Sequence, residues 1–267
     1  MKRKIGIIGG SGIEDPELFG GFEEKIVTTE FGEARCRIGE IAGNQVVFLS
    51  RHGEQHTLPP HLINNRANIL ALKSFGTEEI FATACVGSMN KDIEPGDFVV
   101  CDNILDFTKG RPSTFFDRET QERAIHVDFS YPFCERLRQT VIGCLKKLGY
   151  KYHKRGVYVC TEGPRFETAA EIKMFGMLGG DVVGMTAMPE AVLAHEAEMC
   201  YATIAFAANM GAGISNVPLG FNDIIEIMKS GDEKMKKLIE LFIKSETASV
   251  TCDCQETLKE EGGFHLS

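Results

Sequence analysis

Hydrophobic and polar positions along the chain alternate between two periods, and each change of period marks an element. Ile5-Gly6-Ile7-Ile8 is an apolar run read as a buried strand, ending in the glycine-rich turn Gly9-Gly10-Ser11-Gly12. Residues 25–50 give three strand candidates broken by Gly32, Gly39 and Gly43. From Asn64 to Phe75 the positions Ala67, Ile69, Leu70 and Leu72 recur at helical spacing, with Gly76 as a stop. Signals then alternate, with strands predicted at 80–84, 98–101, 156–160, 181–184 and 201–208. Helices are predicted at 131–147, 168–177, 189–199 and in one long run from 223 to about 252. This order predicts a single α/β domain over residues 1–254, with a mixed, largely parallel central sheet flanked by helices. Residues 106–129 read as a long loop of the kind that usually serves a function, and 255–267 as a flexible C-terminal tail.

Composition narrows the class. The 267 residues carry 29 Lys and Arg against 38 Asp and Glu, a formal charge of −9, which argues against a nucleic-acid partner because backbone binding needs basic patches. No apolar stretch approaches the roughly 18 residues of a membrane span, and Met1-Lys2-Arg3-Lys4 leads straight into the first strand without a signal-peptide core. The reading is a cytoplasmic protein with no membrane partner. Nine cysteines are scattered, and only Cys252 and Cys254 lie close in sequence. No CxxC pair marks a zinc ribbon or a thioredoxin-like site, so no metal is assigned. Most cysteines read as small buried apolar residues, and the 252/254 pair as a disulfide or, preferably, as two unpaired thiols.

Several groups fall at strand ends, where α/β sheets gather ligand contacts. The 9–12 turn can offer backbone N–H groups and the Ser11 hydroxyl to an anion, although a tight turn without ligand reads equally well. Arg51-His52 supplies a planar cationic fork and a ring donor suited to phosphate oxygens. His52, His56 and His61 lack metal-ligand spacing. Thr83-Ala84 and Met185-Thr186 place hydroxyls at further strand ends, where a structural role is the usual one. In the stretch Thr161 to Thr168, Phe166 can stack on a flat ring and Glu167 can accept a hydrogen bond from it, but a hydrophobic staple with a first-turn carboxylate explains the pair as well. Asn209 ends an apolar strand with both a carbonyl and an amide donor. No nucleophile elbow, zinc-protease or kinase motif is present.

Taken together, these motifs resemble the purine nucleoside phosphorylase and methylthioadenosine phosphorylase family. The matching segments are GIIGGSG at 6–12, RHGEQHTLPPHLINNRANI at 51–69, TACVGSM at 83–89, EPGD at 94–97, TEGPRFET at 161–168 and DVVGMTAMPEAVLAHE at 181–196. The resemblance implies phosphate-dependent cleavage of a purine nucleoside to free base and ribose 1-phosphate, with inorganic phosphate as co-substrate and no metal or organic cofactor. It implies phosphate contacts at Ser11, Arg51, His52, Thr83, Ala84 and Thr186, a ribose contact at Met185, a base contact at Phe166, and catalytic hydrogen bonding by Glu167 and Asn209. It further implies a homotrimer or homohexamer, with residues 106–129 as the candidate segment crossing between subunits.

Base choice follows from three positions. Family members acting on 5′-methylthioadenosine carry Asp at the positions of Asn209 and Gly211 and a small hydroxyl residue at that of Glu167. Those acting on inosine and guanosine carry Glu and Asn at 167 and 209, as here. A 6-oxopurine offers N1–H as donor and O6 as acceptor, matching a carboxylate and an amide; adenine reverses both. The expectation is a 6-oxopurine nucleoside. Phe221, Ile224 and Ile225 would form an apolar wall at the sugar's 5′ end, which keeps 5′-methylthioinosine in view. The alternatives are a 5′-methylthioadenosine phosphorylase and, more remotely, a non-catalytic nucleotide- or anion-binding module.

Overall fold

The computed structural model describes residues 2–10, 21–53, 57–117, 125–215 and 221–265, without the side chains of 221–225 and 228. Strand β1 (Lys4–Gly9) lies between β4 (Asn44–Ser50) and β5 (Glu79–Ser88), parallel to both. The strands β2 (Glu23–Thr29) and β3 (Gly32–Ile41) continue from β4 as an antiparallel meander to one edge. β5 is long because it serves two branches. Along its length it pairs in parallel with β11 (Cys200–Met210), which leads antiparallel to β6 (Phe98–Val100) and on to β8 (Tyr152–His153). Its C-terminal end also pairs antiparallel with β10 (Val182–Gly184), followed in parallel by β9 (Val157–Thr161) and β7 (Asn103–Phe107).

Burial on both faces explains the continuous apolar runs. Along β1, Ile5 and Ile7 enter a core cluster with Leu137 and Leu145 of helix α2 (Glu135–Leu148) and Leu238 and Phe242 of α5 (Phe221–Lys244). Ile8 enters the opposite cluster with Ile69 and Leu72 of α1 (Asn65–Ser74) and Ala191 and Ala194 of α4 (Ala187–Glu196). The period of two along a strand sends neighbours to opposite faces, and helices cover both. Helix α3 (Ala169–Met177) packs Ile172 and Phe175 on Val159 and Val183. Its start carries a complete capping box between Thr168 and Glu171.

The predicted α/β sandwich and its order of elements are as expected, with differences at ends and edges. β7 and β8 carry no strong pattern, the first being half-exposed and the second only two residues long. Helix α2 begins at Glu135 rather than 131: Pro132 disfavours helical geometry at Tyr131, and Cys134 is extended, its N–H donating to the Tyr201 carbonyl at 2.8 Å. Helix α5 ends at Lys244, eight residues before the expected end; the chain then turns so that the Ala248 N–H donates to Thr140 Oγ1 at 2.9 Å.

Where it is described, the C-terminal segment packs on the body of the fold. Leu258 is 1% exposed, and Phe264 packs edge-on to Phe115 and Phe116. One carboxylate clamps both ends of this segment: Glu198 accepts from the Leu258 N–H at 3.0 Å and the Phe264 N–H at 3.1 Å. Sequence patterning misses this because the anchors are isolated apolar residues among charges. The Glu198→Ala substitution, which orphans two N–H groups, is expected to cost about 1–3 kcal/mol and to expose residues 255–265 to limited proteolysis. Equal cleavage of both proteins would show that Glu198 does not hold the tail.

Candidate functional site

Strands β1 and β4 stop at the level where β5 reaches Thr83, and three of the predicted segments meet there. The Gly10 N–H donates to Thr83 Oγ1 at 3.0 Å, and the Arg51 Nη1 donates to the Thr83 carbonyl at 2.9 Å. Gly10 lies so close that a Cβ there would sit 3.3 Å from Arg51 Nη1. Ser11 and His56 lie outside the described residues. His52, buried beside Arg51, has Nδ1 2.8 Å from the Leu58 carbonyl, which can only accept, so Nδ1 carries the proton. Ala84 follows Thr83 in the buried part of β5.

Arg51 is 2% exposed, and a charge so placed needs a partner. Glu190, in the first turn of α4, takes it in a bidentate pair, Nε to Oε2 at 2.7 Å and Nη2 to Oε1 at 2.8 Å. Tyr201 donates to Glu190 Oε1 at 2.6 Å, and Thr203 donates to the Tyr201 hydroxyl at 2.9 Å. Burial opposes the Arg51 charge, but the Glu190 carboxylate outweighs it and holds the guanidinium above its ordinary pKa. Burial and then the Glu190 charge push Tyr201 up, so its hydroxyl stays protonated and donates. Glu190, Tyr201 and Thr203 were not expected from sequence, although a single carboxylate in the apolar run Ala187 to Ala194 is a signal for a buried ion pair. Three of the five Arg51 N–H donors are engaged by Glu190 and Thr83.

Thr186 stands one turn before Glu190 as the residue capping α4, with no side-chain cap bond. Its N–H donates to the buried Tyr158 hydroxyl at 3.4 Å. The adjacent Met185 is tied to two other segments. Its carbonyl accepts from Arg111 Nη1 at 2.8 Å, and its sulfur occupies the space a Gly163 Cβ would need, 2.5 Å away. Gly163 has φ +66°, a further reason only glycine fits that turn. Arg111 also donates to the Met188, Thr161 and Glu162 carbonyls and pairs with Glu162, clasping the ends of β9 and β10 together. The described part of the 106–129 segment is thus anchored on its own chain, with the Phe115 N–H donating to Glu196 at 2.8 Å. No pattern in the sequence marks Arg111.

Asn209 is aimed by a bulge. β11 pairs Ala207 with Val86 and Asn209 with Gly87, so Ala208 is an extra residue that turns the next side chain. Asn209 Nδ2 donates to the Met210 carbonyl at 2.8 Å. Gly211 is sealed against neighbours: its N–H donates to the Ser88 carbonyl at 2.6 Å, and a Cβ there would lie 3.2 Å from both Ile172 Cγ2 and the Ser88 oxygen. Glu167, at the mouth of the β9–α3 turn, is oriented by Thr161 Oγ1, which donates to its Oε1 at 2.6 Å. Phe166 stands 84% exposed, unpacked by its own chain. Residues 221–225 open α5, where the side chains of Phe221, Ile224 and Ile225 lie outside the description. A cavity of about 610 Å³ between β3, β4 and α1 touches Arg51 but none of the base-side residues.

Arg51, the Thr83 hydroxyl and the Gly10 N–H thus meet at one level of β5, and an amide and a carboxylate lie on the elements around its far end. Comparison with known proteins gives the same organisation a lineage. The profile of the Phosphorylase superfamily matches residues 4–244. The chain is 48% identical over 264 residues to the 6-oxopurine nucleoside phosphorylase of Pyrococcus furiosus, covering 97% of this chain and 99% of that one. It is 42% identical over 261 residues to a probable S-methyl-5′-thioinosine phosphorylase of Thermodesulfovibrio yellowstonii, with 96% of each chain covered. Among solved structures, methylthioadenosine phosphorylase from Schistosoma mansoni in complex with adenine superposes with a TM-score of 0.85 at 33% identity, over 91% of each chain. The chain belongs to the Phosphorylase superfamily.

Proposed function

We propose that this chain is a purine nucleoside phosphorylase, a pentosyltransferase that cleaves 6-oxopurine nucleosides such as inosine and guanosine with inorganic phosphate, yielding free base and ribose 1-phosphate. The observation that carries the base choice is Asn209, turned by the β11 bulge beside a Gly211 whose Cβ position is crowded by Ile172 and the Ser88 carbonyl. An acid at 211, as in methylthioadenosine enzymes, would press on Ile172 and the Ser88 carbonyl. In the proposed complex the Asn209 amide donates to the N7 and O6 edge while Glu167, steadied by Thr161, accepts from N1–H. The names of the relatives favour the same class.

Cleavage builds positive charge on the sugar and negative charge on the departing purine. Asn209 donates where the purine charge develops, and a phosphate under C1′ both attacks and stabilises the sugar cation. Ser11, Arg51, His52, Thr83, Ala84 and Thr186 are assigned to that phosphate, Met185 to the ribose and Phe166 to the base. The reaction then needs no protein nucleophile, and no cofactor is proposed. Holding phosphate and nucleoside in line supplies several kcal/mol, on the order of 7–11 in well-oriented reactions.

The proposed working form is a cytoplasmic homotrimer or homohexamer. No described helix is long and apolar enough to cross a membrane. Phe166, Met174, Met177 and Leu178 leave large apolar side chains exposed around α3, which favours cover by a second copy. Residues 118–124, the part of the long loop outside the described residues, stay in the proposal as the segment crossing between subunits.

Three outcomes test this reading. Product formation from inosine, 5′-methylthioinosine and 5′-methylthioadenosine, with and without phosphate, is expected to require phosphate and to favour the two oxopurines; strong preference for the adenine compound would overturn the base assignment. Asn209→Asp is expected to lower kcat/KM for inosine by more than tenfold and to raise the relative rate on adenosine-type substrates, since hydrogen-bonding sites discriminate by up to about 10⁴–10⁵. An unchanged ratio would remove Asn209 from base reading. Tyr201→Phe removes one hydrogen bond from Glu190, at about 1–2 kcal/mol of stability, and is expected to raise KM for phosphate several-fold with KM for nucleoside unchanged. Equal changes in both would refute its positioning role.

A further inference from the structure

Four of the nine cysteines, far apart in sequence, meet in space. Among the described residues, the sulfur atoms of Cys134, Cys200, Cys252 and Cys254 all lie within 4.8 Å of one another. Cys134 is the residue before α2, Cys200 opens β11, and the other two lie on the segment after α5. Cys200 Sγ and Cys252 Sγ are 3.6 Å apart. Four thiolates around a zinc ion, at a Zn–S distance of about 2.3 Å, form a tetrahedron whose edge is about 3.8 Å. The four sulfurs are therefore already gathered on that scale. We propose that Cys134, Cys200, Cys252 and Cys254 form a tetrahedral four-thiolate zinc site that fastens the C-terminal segment to the start of α2 and β11.

The surroundings suit a thiolate cluster. Cys134 occupies the N-terminal end of α2, where unpaired N–H groups and the helix dipole favour negative charge. Arg136 Nη2 donates to Cys200 Sγ at 3.1 Å and holds its other arm 3.0 Å from Glu79, as expected of a group that orients and offsets a metal ligand. Cys134 and Cys200 are buried whereas Cys252 and Cys254 are half-buried, giving a closed inner side and an accessible rim through which an ion can enter. Binding would exchange four thiol protons for one Zn²⁺, with no change of oxidation state. The absence of a CxxC spacing excludes a zinc ribbon from sequence, but not a site assembled by the fold from three separate segments.

Position gives the site a consequence. The Cys134 N–H donates to the Tyr201 carbonyl at 2.8 Å, and Tyr201 follows Cys200 in β11. Strand alternation turns the thiol to one face and the tyrosine hydroxyl to the other, toward Glu190 and Arg51. The cluster therefore fixes the strand start from which the Arg51 network is held.

Elemental analysis of the full chain, purified without chelator or strong reductant, tests the proposal. One zinc per chain is expected, with loss of that zinc and a lowered Tm after chelator treatment and after Cys252→Ser with Cys254→Ser. Cobalt added to chelator-stripped wild-type protein is expected to give the intense thiolate-to-metal absorption of a tetrahedral site, a readout that does not depend on how the variants fold. Zinc-free protein whose four cysteines alkylate freely, or peptide mapping that finds them joined as two disulfides, would overturn the proposal.

Discussion

A guanidinium buried to 2% exposure has to be neutralised where it lies, and in this chain the neutralising carboxylate comes from 139 positions further along the sequence. Breaking such a pair by removing one partner typically costs about 3–5 kcal/mol, because the remaining charge stays buried. The Arg51–Glu190 pair therefore fixes the end of β4 against the first turn of α4. Through Thr83 and Gly10 it also fixes β5 and the end of β1. Four elements are locked by one guanidinium, and the two donors not engaged by Glu190 and Thr83 have a fixed direction. In the proposed reaction this supplies hydrogen bonds to phosphate with little net positive charge, so the dianion keeps the charge it needs beside a cationic sugar.

β5 links this constraint to the base side. It passes Thr83 at the level where β1 and β4 stop and continues, paired with β11 along its length, to Ser88, where β10 joins it. The bulge at Ala208 and the sealed Gly211 set the amide of Asn209 at that far end, and Arg111 binds the two turns that carry Glu167 and Met185. The two halves of the proposed site thus hang on the middle and the C-terminal end of one strand, which makes their separation a property of the sheet.

The sheet was legible where both of its faces are buried, since β1, β4, β5 and β11 announce themselves as apolar runs and α1 and α2 carry clear caps or stops. It was not legible at β7 and β8, whose half-exposed residues lack a period, nor at the C-terminus, held by single residues such as Leu258 and by Glu198. The polar groups at strand ends could be picked out because the turn chemistry is local. Their supports could not: Glu190, Tyr201 and Arg111 act through contacts spanning 139, 11 and about 50–77 positions, and no spacing rule reaches that far. The same reason hides the four-cysteine cluster, which only the fold assembles.

The most direct measurement is a crystal structure of the protein with phosphate and hypoxanthine bound together. An anion is expected within hydrogen-bond distance of the Thr83 hydroxyl and Arg51 with the Arg51–Glu190 pair intact, and the oxo edge of the base on Asn209 and Glu167. An anion bound elsewhere, an Arg51 swung away from Glu190, or a base that leaves both side chains untouched would contradict this expectation.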